Sequence, residues 1–127
     1  LPLWSVQVSC IGTVGVVTMN LLKAQTNQQI NSVIPKNDNH RYYSYFCLSR
    51  LKPLLEAIGG GSTMANVNKS KFESLKVLIP AEKMLSEFHQ KIDPIFKQIV
   101  ILLQQNQKLA QARDLLLPRL MNGTIQV

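Results

Sequence analysis

Apolar and polar positions change period along this chain, and each change marks an element. From Val6 to Thr18 they alternate: Val6-Gln7-Val8-Ser9-Cys10-Ile11, a Gly12-Thr13 turn, then Val14-Gly15-Val16-Val17. Successive side chains of a strand point to opposite faces, so this pattern predicts two β runs that the glycines allow to bend or pair closely. Lys23 to Asn31 is polar and holds Thr26-Asn27-Gln28-Gln29. Alternation returns at Ile30, Ser32 and Ile34, predicting a short third strand ended by Pro35.

The period then lengthens. Lys36-Asn37-Asp38-Asn39 is a turn cluster in which Asn37, Asp38 or Asn39 can cap a following helix. Tyr42, Tyr45, Phe46, Leu51, Leu54, Leu55 and Ile58 form one broad apolar face, which predicts a helix packed on the sheet. Pro53 is expected to bend it and Gly59 to end it. Gly59 to Asn68 has no apolar periodicity, and its run of glycines lets backbone approach a ligand without side-chain obstruction. Lys69 to Ser74 reads as one helical turn, and Leu75 to Ile79 as a strand closed by Pro80.

Beyond Pro80 the spacing becomes strict. Leu85, Phe88, Ile92, Ile95, Ile99, Leu102, Asn106, Leu109, Arg113, Leu116 and Leu120 follow one another at alternating gaps of three and four. That is the seam of a coiled coil, and its polar members Asn106 and Arg113 are of the kind that fix register or pairing at some cost in stability. An unbroken helix from Ala81 to Leu117 would be about 55 Å long at 1.5 Å per residue. Pro94 should remove a hydrogen bond or kink it, and Pro118 and Gly123 mark its end.

The expected fold is therefore mixed α+β: a small twisted sheet with helices over residues 1–80, then one long coiled-coil helix and a short tail over 81–127. A chain of 127 residues has room for one modest domain and an appendage. Leu1-Pro2-Leu3-Trp4 runs straight into the strand pattern with no cleavable leader, so the chain reads as a piece of something longer. No apolar stretch is long enough to span a bilayer. Cys10 and Cys47 stand among apolar neighbours, which suits buried thiols in a reducing compartment, and a cytoplasmic location is expected.

Charge narrows the function. The chain carries 14 Lys and Arg against 7 Asp and Glu, a formal +7. Residues 1–80 hold eight basic and three acidic side chains, the rest six and four, so the excess is concentrated before the long helix. Such an excess favours a polyanion, through phosphate neutralisation and counterion release.

Enzymatic signatures fail one by one. A phosphate-binding loop needs lysine directly after its last glycine, whereas Ser62 follows Gly61 and Lys69-Ser70 comes too late. Gly12 and Gly15 lack the dinucleotide spacing. No motif places His40 or His89 beside an activated serine or at metal-ligand spacing, and the seven carboxylates fall mostly on solvated helix faces. No catalytic residue and no metal ligand is predicted.

Recognition remains. Gln and Asn pair with adenine edges, Lys and Arg with guanine, and Ser and Thr with either. Two polar loops offer these groups: Thr26, Asn27, Gln28 and Gln29 in one; Ser62, Thr63, Asn66, Asn68, Lys69 and Lys71 in the other. These ten residues are the candidate DNA contacts, with phosphate taking half or more of such contacts.

At this point a family resemblance enters. Val8-Ser9-Cys10-Ile11-Gly12-Thr13-Val14-Gly15, Thr26-Asn27-Gln28-Gln29-Ile30, Gly60-Gly61-Ser62-Thr63, Leu78-Ile79-Pro80 and Leu116-Leu117-Pro118-Arg119-Leu120-Met121-Asn122-Gly123 follow in an order that resembles the specificity subunit of type I restriction-modification enzymes. The chain is similar to the later portion of one target recognition domain with the long spacer helix after it. It departs from the pattern at Ala81, where a proline is frequent, and at Glu87-Phe88, where Glu-Gln is usual.

The resemblance implies that the chain reads one half of a split target in double-stranded DNA. It also implies a helix that pairs antiparallel with a second one, supplied by the other half of the subunit or by another copy. Phe88, Ile92, Ile95, Ile99, Leu102, Asn106, Leu109, Arg113 and Leu116 are the expected pairing residues. Methyl transfer and ATP-driven cleavage would belong to separate modification and restriction subunits, leaving this chain without a cofactor. Two other classes compete: a coiled-coil adaptor that binds no DNA, and a recognition domain fused to a DNA methyltransferase whose catalytic part lies elsewhere.

Overall fold

The computed structural model describes residues 1–60 and 65–125. It divides into two compact units, one from Leu1 to Ile92 and one from Asp93 onward.

The first unit is built on a three-stranded antiparallel sheet of order β2-β1-β3, formed by β1 (Val6–Ser9), β2 (Val17–Met19) and β3 (Ile30–Val33). The period of two does what the sequence predicts. Val6, Val8 and Cys10 are buried on one face, with Val17, Met19 and Val33 packed beside them from the neighbouring strands. Gln7 pairs in register with Thr18 on one side and Ser32 on the other, so these polar residues form a row on the opposite face.

The second β run begins later than its apolar residues do. Val14 turns into the core instead of joining a ladder, because Gly12 and Gly15 hold φ of 75° and 83° and reverse the chain between β1 and β2. A side chain at Gly15 would also collide with Lys52, whose Cγ stands 2.7 Å from the position of its Cβ.

α1 (Asp38–Arg50) starts where a cap is expected: the Asn37 side chain accepts a hydrogen bond from the His40 N–H at 3.3 Å. The predicted single helix with a bend is instead two helices, α1 and α2 (Lys52–Gly59), separated at Leu51. Pro53 falls in the first turn of α2, where its missing N–H leaves no gap, whereas in one continuous helix it would deprive the Ser49 carbonyl of its donor and crowd it. Tyr42, Leu48 and Leu55 are the residues these helices bury, whereas Phe46 and Leu54 of the expected apolar face are exposed. Trp4 holds a left-handed φ of 65°. Its N–H bonds to the Asn20 carbonyl at 2.9 Å, and its ring lies under the Arg41 guanidinium, 4.7 Å from the centroid.

α3 (Lys69–Glu73) is the single turn expected, capped by Asn68, whose side chain accepts from the Lys71 N–H at 2.9 Å. The strand expected over Leu75 to Ile79 is absent. These residues are irregular and pair with no strand among the described residues, and Leu78 is 81% exposed. Strand-forming side chains become a strand only where a ladder partner is available. Here the Tyr43 hydroxyl fastens the segment by donating to the Leu78 carbonyl.

α4 (Glu82–Met121) is the long helix, 40 residues or about 60 Å. Its first turns belong to the first unit: Leu85 is buried, Phe88 meets Phe46 edge to face, and His89 stacks on Tyr42 with centroids 5.1 Å apart. The second unit is the rest of α4 and its tail. Pro94 and Pro118 both lie inside the helix, so Pro118 does not end it as expected. A proline has helical φ and forfeits only its own donor; Asn122 still bonds back to the Pro118 carbonyl at 3.0 Å. Gly123 makes the stop, with φ of 72° and its N–H on the Leu120 carbonyl. Among the described residues, no helix is long and apolar enough to cross a membrane.

Candidate nucleic-acid interface

Both polar loops are anchored at one residue. As β1 runs out, the Cys10 N–H donates to the Gln29 carbonyl at 2.8 Å, and the Cys10 carbonyl accepts from the Val67 N–H at 2.8 Å. Ile11 forms a bridge with Asn66, and the Gly12 N–H reaches the Ala65 carbonyl at 3.2 Å. Loops separated by some forty positions in sequence are thereby held together at the end of β1. Cys10 is itself buried, with its sulfur accepting from the Asn31 amide at 3.0 Å, so the anchor is rigid.

Thr26, Asn27, Gln28 and Gln29 are all exposed and together line an open hollow. Asn27 shapes it: its side chain accepts from the Gln29 N–H at 3.0 Å, and its carbonyl accepts from the Ile30 N–H. Side-chain-closed turns of this kind present the intervening residue outward. In the second loop Asn66, Asn68, Lys69 and Lys71 are exposed. Asn68 is occupied as the α3 cap, Lys69 lies 3.6 Å from Glu73, and the Lys71 ammonium donates to the Ile58 carbonyl at 3.2 Å. Ser62 and Thr63 lie outside the described residues. The turn that follows β1 is brought beside the second loop by the pairing of Ile11 with Asn66, which no local pattern reveals.

Two further concavities lie elsewhere. Cavities of about 560 and 970 Å³ flank Val77–Pro80, lined mainly by apolar groups including Val33, Tyr43, Cys47, Phe46 and Met84, and contain none of the candidate contacts. Burial, then the neighbouring Cys47 thiol, raises the Tyr43 phenol above its ordinary range, which keeps it a protonated donor to Leu78. No group of three or more His, Cys, Asp or Glu side chains converges among the described residues.

Along α4 the pairing candidates fall into two sets. Phe88 and Ile92 are half-buried within the first unit. Ile95, Ile99, Leu102, Asn106, Leu109, Arg113 and Leu116 are exposed, Ile95 by 55% and Leu109 by 66%. Arg113 pairs locally with Asp114 at 2.7 Å.

These features coincide with a known family, and the chain belongs to it: the model described as type I restriction modification DNA specificity domain matches residues 2–112. The chain is 38% identical to the type I restriction enzyme HindI specificity subunit of Haemophilus influenzae over 98% of its length, covering 28% of that protein. It is 32% identical to the MjaIX specificity subunit of Methanocaldococcus jannaschii over 70% of its length, covering 21% of that protein. A putative specificity subunit, MjaX, from the same organism is 25% identical over 92% of the chain. The chain thus spans between 21% and 28% of the length of these curated relatives.

Proposed function

We propose that this chain is a DNA-reading portion of a type I restriction-modification specificity subunit, working in the cytoplasm. The observation that carries the reading is the anchoring of two amide- and hydroxyl-bearing loops on Cys10, which presents Gln28 and Asn66 from one end of the sheet. Groups of this kind read base edges, and the surrounding Lys and Arg supply affinity for phosphate. Residues 1–80 would carry recognition of one half of a bipartite target. Residues 81–127 would carry the spacer, which pairs through Ile95, Ile99, Leu102 and Leu109 with a second helix of the parent subunit or of another copy. Methylation and cleavage would be left to modification and restriction subunits docked on the parent, with no cofactor held by this chain.

Binding of a labelled mixed-sequence DNA duplex, followed by anisotropy across a salt series, tests the reading. Affinity should fall steeply with salt, and Gln28→Ala should weaken binding. A chain that fails to bind DNA even at low salt, while still associating through its helix, would favour the adaptor reading instead.

A further inference from the structure

We propose that the turn carrying Gly12 and Thr13, with Ser9 behind it, is a third DNA-contacting element beside the two loops, and that it binds through its neutral hydroxyls. The inference rests on the DNA-reading function proposed above and adds a site to it. Its placement follows from the backbone. The turn leaves β1 directly after Cys10, the residue whose N–H holds Gln29 and whose carbonyl holds Val67, and the Gly12 N–H is itself bonded to the Ala65 carbonyl. A ligand that reaches both loops at Cys10 therefore comes close to this turn.

The chemistry suits a phosphate oxygen. Ser9 Oγ and Thr13 Oγ1 lie 3.1 Å apart and share one hydrogen bond, so one hydroxyl proton of the pair is left to donate outward. Thr13 and Gly12 are exposed, and a Cβ at Gly12 would meet no heavy atom within 4 Å, which leaves room for a sugar-phosphate strand against the backbone. The same polar character continues along the open face of the sheet, where the Thr18 hydroxyl donates to the Gln7 side chain at 3.0 Å. No Asp, Glu, Lys or Arg occurs before Lys23. This element thus adds hydrogen bonds without adding counterion release.

That separation gives the test. Thr13→Val keeps the branched shape and removes the hydroxyl, and Ser9→Ala removes the group that orients it. In the full chain, each should weaken binding of a mixed-sequence duplex by about three- to tenfold, and the double variant should cost little more than either alone. The slope of log affinity against log salt should stay that of the wild type, whereas Lys71→Ala should reduce it by about one. Thermal unfolding of each variant should match the wild type, which excludes a merely structural effect. If Thr13→Val and Ser9→Ala leave affinity unchanged while Gln28→Ala or Lys71→Ala lowers it, this inference falls and the DNA-reading function stands. If the wild-type chain binds no duplex at low salt, both fall.

Discussion

Leu55 and Tyr43 show how differently two side chains of adjacent helices hold the first unit together. Leu55 is fully buried against the β1 valines, Val14 and Val67, so truncation leaves a cavity that the surrounding strands cannot close. Leu55→Ala should cost about 2–5 kcal/mol in denaturant unfolding. Tyr43 contributes through one hydrogen bond to Leu78, and Tyr43→Phe should cost about 1 kcal/mol. Because its phenol titrates above the ordinary 10.0 in the folded protein, the folded state holds that proton more tightly than the unfolded chain. The resulting stabilisation is complete below pH 10.0 and is lost as pH rises through the raised value. The stability gap between wild type and Tyr43→Phe should therefore shrink above pH 10.0, and a gap that grows there would contradict the assignment.

Among the elements, the strict spacing of α4 was the most legible feature of the sequence, since a seam depends on local period alone. Its exposed members explain why a partner helix is expected: covering an isoleucine or leucine contributes about 1.5–3 kcal/mol. Ile99→Glu with Leu102→Glu should weaken association by at least about 100-fold. Sedimentation would register this as a shift towards monomer at unchanged helix content. Elements that depend on neighbours were less legible. Leu75 to Ile79 has strand-forming residues but no ladder partner, and the helix across Pro53 separates at Leu51 because the proline begins a new first turn.

At the scale of the whole molecule, the charge excess and the candidate interface predict distinct behaviour. The +7 balance should make duplex affinity fall along a straight line in log salt, with a slope of roughly 0.9 per phosphate neutralised. An affinity independent of salt would assign the basic residues to another role. Sequence alone determined the periods, a cap within Asn37 to Asn39, the polar composition of the two loops and the family resemblance, because each is written in neighbouring residues. Only the tertiary structure decided that both loops meet at Cys10, that the Gly12 turn is bonded to the second of them, and that Leu85 is buried while Ile95 is not. Those outcomes depend on hydrogen bonds and packing between segments distant in the chain, which local periodicity does not encode.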